Sequence, residues 1–196
     1  TTAEYGGYRL FDGNRNHLMH IPEELTDLLI LLQDFQKKNK KKLGKFLEIG
    51  FSTGKVNTIL NKFFQFEQIV AVDNFSAEIS SKDLLANLVR KNLTLICGNS
   101  DTKNTLSLVK NFSSFDLVFV DGSHEYKDVK TDLKNFSKMV SKNGILIAHD
   151  IHSKEHPGVN KAWNEFKEKN NDFKFQEIFY DLYYFKCGVG IAFKKK

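Results

Sequence analysis

The stretch LVFVDGSHEY, residues 117–126, runs four apolar residues straight into Asp121, a glycine, a serine and His124. An acid and an imidazole are costly inside a protein unless something pairs with them. Their place at the mouth of an apolar run therefore points to chemistry. The pattern recurs in GILIAHD, residues 144–150, where His149 and Asp150 close a second apolar run. If the two runs are neighbouring strands, about 4.8 Å apart, Asp121 and Asp150 converge on one small volume. Two carboxylates so placed repel each other unless a cation lies between them. A divalent metal is the economical solution. Oxygen donors suit Mg²⁺, and His149 brings borderline ions such as Mn²⁺ into range.

A second group lies further upstream, in LEIGFSTGK. Gly50 and Gly54 bracket a turn where backbone amides and a helix N-terminus can face a ligand. The spacing is wrong for a P-loop, and Val56 stands where Ser or Thr should follow Lys55. Phe51 and Ser52 break the dinucleotide fingerprint G-x-G-x-x-G. What remains is E/D-x-G-x-x-x-G, with Glu48 as its acid. The next apolar run ends in Asp73, placed to accept both hydroxyl protons of a ribose. The third ends CGNSD, with Ser100 and Asp101 at its mouth.

These residues need elements to hold them. KFLEIG (45–50), QIVAVD (68–73), LTLICG (93–98), FDLVFVD (115–121) and GILIAHD (144–150) read as strands buried on both faces. Helical segments are expected over 22–36, 54–66, 78–91, 102–112 and 126–141, and in PGVNKAWNEFKEKN after the fifth strand. FKFQEIF and GVGIAF close the chain as strands able to pair antiparallel. Alternating strands and helices imply an open α/β sheet with helices on both faces, whose ligands bind beyond the carboxyl ends of the strands. Residues 1–21 fit no strong period and are expected to form an arm or lid. Residues 22–196 make one domain.

The chain has 196 residues, 41% hydrophobic and 27% charged, which is globular in composition. No apolar run is long enough for a membrane span, no signal-peptide pattern opens the chain, and a cytoplasmic home is expected. A net charge of +5 invites a nucleic-acid reading. However, the densest basic run, KKNKKKLGK, closes a helix, where cations oppose the macrodipole. Cys97 and Cys187 make no metal spacing, and Cys97, at the end of an apolar run, reads as a small core residue. His152 and His156, four residues apart, are read as lining an acceptor loop, and Trp163 as packing.

The glycine turn, Asp73 and GNSD together resemble the class I S-adenosylmethionine-dependent methyltransferases. VDGSHEY, GILIAHDI and PGVNKAW look like a small O-methyltransferase branch of that superfamily. The resemblance runs from about residue 44 to the C-terminus. It implies a Rossmann-like seven-stranded sheet in the order 3-2-1-4-5-7-6, with the last strand antiparallel. S-adenosylmethionine would bind along Glu48, Gly50, Ser52, Gly54, Asp73, Ser100, Asp101 and Asp121, with adenine near Ser100 and Asp101. Catechol O-methyltransferase and its relatives place a metal at the corner after strands four and five. Matched by position, Asp121, His149 and Asp150 fall on the ligands and His124 on the catalytic base. The family normally has an acid where His149 stands. The acceptor implied is a small hydroxylated molecule such as a sugar, a catechol or a natural product, and a homodimer is left open. Three rivals remain: a metal-dependent hydrolase using Asp121, His124, His149 and Asp150, a nucleic-acid methyltransferase, and a catalytically silent binding module, which turnover of any acceptor would exclude. The hydrolase leaves the glycine turn without work. The nucleic-acid enzyme would want Asn/Asp-Pro-Pro-aromatic after strand four, and DGSH is not that.

Overall fold

Five of the apolar runs become parallel strands: β1 (Lys45–Ile49), β2 (Gln68–Asp73), β3 (Leu93–Cys97), β4 (Phe115–Val120) and β5 (Val140–His149). The computed structural model describes residues 20–76, 90–181 and 186–195, together with 84 and 88. The expected arm over 1–21 and helix over 78–91 lie almost wholly outside the described residues. β6 (Phe173–Ile178) and β7 (Val189–Lys194) pair antiparallel, and β7 runs antiparallel to β5. The order is β3-β2-β1-β4-β5-β7-β6. This is the class I methyltransferase sheet that the resemblance implied.

Helices cover both faces. On one, α1 (Pro22–Asn39) and α2 (Lys55–Phe64) set Leu28, Leu32, Leu60 and Phe64 against Phe46, Ile69, Phe119 and Ile147. On the other, α3 (Lys103–Lys110), α4 (Tyr126–Phe136) and α5 (Pro157–Lys169) pack Val109, Leu133, Phe136 and Trp163 onto Val70, Val118 and Leu146. Each fully buried leucine or phenylalanine contributes about 1.5–3 kcal/mol. The central strands β1 and β4 and the GILIA stretch of β5 run nearly continuously apolar because both of their faces are covered.

Two expectations need correction. Cys97 is exposed rather than a core residue, because β3 is an edge strand that leaves Thr94 and Cys97 open to solvent. The helix expected to reach 141 stops at Phe136, and after a 3₁₀ turn (Ser137–Met139) β5 begins at Val140. The basic run is largely tied down. Lys37 and Lys38 close α1, Lys41 Nζ is 2.8 Å from Asp116 Oδ1, and Lys42 Nζ is 3.1 Å from Glu67. No described helix is long and apolar enough to cross a membrane.

Candidate active site

The site is built at the carboxyl ends of β1, β2, β4 and β5. Register does most of the work. Ile49 pairs with Val120, and Val120 with Ala148, so the residues that follow emerge side by side. The amide of Gly50 donates to Val72 O at 2.8 Å, and that of Asp121 donates to Ile49 O at 2.8 Å. Gly50 has φ +91°, and a Cβ there would meet the Asp121 carbonyl oxygen at 2.0 Å. Its close approach is therefore to the end of β4, so the glycine locks the two halves of the site together.

In the cofactor half, Asp73 Oδ2 accepts from the Ser52 amide at 2.7 Å and Oδ1 from the Phe75 amide at 2.7 Å. Those bonds fix the carboxylate, and its remaining lone pairs stay available to a ligand. Gly54 and Ser52 both have positive φ, and α2 starts directly afterwards. Glu48 is buried under this turn and accepts from Asn57 Nδ2 at 2.7 Å, while Asn57 Oδ1 accepts from Arg90 at 2.8 Å. Burial pushes the Glu48 carboxyl up to about 8. Ser100 is held by Asp132, and Asp101 is exposed. Asp132 lies buried on α4, and its Oδ1 has no partner among the described residues. Burial, with Asp128 and Asp101 nearby, raises Asp132 to about 7.

In the second half the structure brings together every residue the sequence singled out. His149 Nδ1 stands 3.4 Å from Asp121 Oδ1 and 3.3 Å from Asp150 Oδ2. His124 Nε2 is 2.8 Å from Asp150 Oδ2. Burial opposes ionisation here, yet the mutual attraction wins: Asp121 and Asp150 are held well below the usual carboxylate range, and His149 well above the usual imidazole range. The bond to Asp150 raises His124. Asp150 is itself left-handed, with φ +60°, which turns the chain sharply after β5. His124 occupies the loop between β4 and α4. Gly158 lets the first turn of α5 press against that loop, since a Cβ there would meet the Tyr126 amide at 2.8 Å.

His152 and His156 are separated. His152 Nε2 is 3.0 Å from Glu177 Oε2, whereas His156 stacks on His124 with centroids 4.1 Å apart. Trp163 is fully buried, and its indole N–H donates to Glu177 at 2.7 Å. The sequence reading missed His20, whose Nε2 is 3.6 Å from Asp121 Oδ2, and Glu24, whose carboxylate accepts from the Gly188 amide at 3.0 Å. The spacing of Leu25, Leu28, Leu29 and Leu32 behind Pro22 announced α1, but nothing local announced its docking partner.

A family model described as "Methyltransferase domain" matches residues 47–151, which spans β1 through the turn after β5. The chain belongs to this methyltransferase family. A curated relative, "Uncharacterized protein y4gI" of Sinorhizobium fredii, is 43% identical over 54 residues, which is 27% of this chain and 6% of that protein. The chain thus spans a small fraction of that relative's length. Among solved structures, the O-methyltransferase TomG from Streptomyces achromogenes, involved in tomaymycin synthesis and in complex with SAM, superposes with a TM-score of 0.70. It is 17% identical, with 100% of this chain and 89% of TomG covered. The MycE methyltransferase of the mycinamycin pathway, in complex with Mg and SAH, superposes with a TM-score of 0.58 at 16% identity, covering 88% of this chain and 54% of MycE. At these identities the solved structures show a shared fold.

Proposed function

We propose that this methyltransferase moves a methyl group from S-adenosylmethionine to a hydroxyl of a small acceptor, a sugar, catechol or natural product, with help from a divalent ion. The observation that carries the reading is His124 Nε2 at 2.8 Å from Asp150 Oδ2, beside a glycine turn whose Ser52 amide is bound to Asp73. TomG with SAM and MycE with Mg and SAH, both of this fold, support the cofactor and the ion.

Glu48 braces the glycine turn from below through Asn57. Asp73 accepts from the ribose hydroxyls, and Ser100 and Asp101 flank the adenine. Asp121, His149 and Asp150 fit a divalent ion, because the two carboxylates converge on His149 Nδ1 at 3.4 and 3.3 Å. Such an ion supplies Lewis acidity that lowers the pKa of an acceptor hydroxyl. With its Nε2 proton directed at Asp150, His124 keeps Nδ1 to take the hydroxyl proton, a role worth about 10²–10⁴ in rate. The acceptor oxygen then forms its bond to the methyl carbon as the carbon–sulfur bond breaks, and S-adenosylhomocysteine leaves. Orientation by the fold contributes about 7–11 kcal/mol to such a transfer.

Calorimetric titration of S-adenosylhomocysteine into the parent and Asp73→Ala tests the cofactor assignment. The parent should bind, and the variant should bind at least about tenfold more weakly, the loss of one charge-assisted hydrogen-bond pair. Equal binding by the two proteins, or none by the parent, removes the reading.

A further inference from the structure

The neighbour that nothing in the sequence singled out is His20. It lies upstream of the stretch that carries the family resemblance, yet it is only 2% exposed. The start of α1 brings it there. Pro22 opens the helix, and one turn in, Glu24 is anchored on the Gly188 amide at the entry to β7. The His20 ring consequently lies over that of His149, with centroids 4.0 Å apart, and its Nε2 points toward Asp121 Oδ2 at 3.6 Å. Two nitrogens in this pair, His20 Nδ1 and His149 Nε2, are buried and have no hydrogen-bond partner among the described residues. A buried polar atom left unpaired costs about 1–3 kcal/mol. The opposite nitrogen of each ring, His20 Nε2 and His149 Nδ1, faces the Asp121 carboxylate, and these are the atoms that can share a partner with it.

We propose that His20 is a metal ligand, and that His20, Asp121 and His149 form a two-nitrogen, one-oxygen site for a first-row transition ion such as Zn²⁺, Mn²⁺ or Co²⁺. The inference rests on the metal reading above and names its ligands and its ion class. One donor atom from each of the three residues lies within 4.8 Å of the others. His149 Nδ1 stands 3.4 Å from one oxygen of the Asp121 carboxylate and His20 Nε2 3.6 Å from the other, close to ligand spacing. Ligands at tetrahedral corners about 2.0–2.1 Å from an ion are roughly 3.4 Å apart. Imidazole donors select borderline ions over Mg²⁺, which prefers oxygen. Three protein ligands also leave a coordination position open for an acceptor hydroxyl, as catalytic sites require. Asp150 is then released from the ligand set to orient His124, the partner it already holds at 2.8 Å.

Co²⁺ alone, titrated into the full chain after chelator treatment and dialysis, provides the test through its visible absorption and its hyperfine-shifted proton signals. The parent should bind one Co²⁺ and show two shifted imidazole N–H signals. His20→Gln should lose one signal and weaken Co²⁺ binding at least about tenfold, with S-adenosylhomocysteine affinity unchanged. One shifted signal in the parent, with equal Co²⁺ affinity in His20→Gln, overturns the role of His20 and leaves a metal held by the acids. No Co²⁺ binding by the parent overturns the metal reading as well, while S-adenosylhomocysteine binding separately decides the cofactor assignment. Should the variant fold poorly, the signal count in the parent decides the question alone.

Discussion

Glu48 keeps its carboxyl in the core, and that choice has a pH signature. Burial, only partly offset by Asn57, lifts it from the ordinary 4.5 to about 8. Between those values the folded protein holds a proton that the unfolded chain has released. Stability is therefore greatest below the ordinary value and falls as pH rises toward 8. The loss is on the order of a few kcal/mol. Urea midpoints between pH 5 and 9 (roughly the window set by the shift) should decline for the parent, and Glu48→Gln, which keeps the shape and cannot ionise, should decline less. Parallel slopes would place the charge elsewhere. At His124, replacement by alanine should cost about 10²–10⁴ in turnover, with S-adenosylhomocysteine binding intact by calorimetry; parental turnover would show that another group takes the proton. Asp121, His124, His149 and Asp150 were legible from sequence because ionisable residues at the mouth of an apolar strand have no structural excuse. His20 and Asp132 were not. His20 follows a stretch with no period, and Asp132 reads as one more polar residue on an amphipathic helix until the fold buries it.

At the scale of elements, the glycine turn joins β1 to β4 as much as it faces a ligand. Gly50→Ala puts a methyl group 2.0 Å from the Asp121 carbonyl oxygen at a φ of +91°. The end of β4 must then move, and with it Asp121. We expect a loss of at least about 2–3 kcal/mol, from overpacking together with the strained φ. The loss should show in urea unfolding, with methyl transfer falling alongside it. A Gly50→Ala protein of parental stability would mean that the strand ends are not locked. Glu24→Ala should cost about 1–3 kcal/mol, because it strands the buried Gly188 amide 164 residues away in sequence; thermal melting checks this, and an unchanged midpoint would deny the anchor. Strand and helix alternation was legible because buried parallel strands are continuously apolar. The exposure of Thr94 and Cys97 on β3 was not, since an edge strand of five residues looks like a central one. His152 and His156 fall in the loop where the sequence reading put them, and that loop sends them to different partners, Glu177 and His124. The structure ends the turn after β5 between His152 and His156 and starts α5 at Pro157.

Across the whole molecule, the proposed reading divides the site between strand ends: β1, β2 and β3 would hold the cofactor, β4 and β5 the acceptor. They meet where the Asp121 amide donates to Ile49 O and where Gly50 packs against the Asp121 carbonyl. This division makes ion removal selective. Asp121 and Asp150 come from neighbouring strands, and among the described residues it is the nearby imidazoles that oppose their charge in the absence of a divalent ion. Asp73, Ser52 and the glycine turn hold their geometry through bonds among themselves. A chelator should therefore abolish methyl transfer while S-adenosylhomocysteine affinity stays within about a factor of three, well under the tenfold that 1.4 kcal/mol would bring. Restoring activity with Mn²⁺ or Zn²⁺ more readily than with Mg²⁺ would match a corner that carries imidazoles where a purely acidic one would suit Mg²⁺. Full turnover in excess chelator would remove the ion from the reaction. The His149 imidazolium would then be the cation that keeps Asp121 and Asp150 ionised together, and His124 with Asp150 would carry the proton transfer alone.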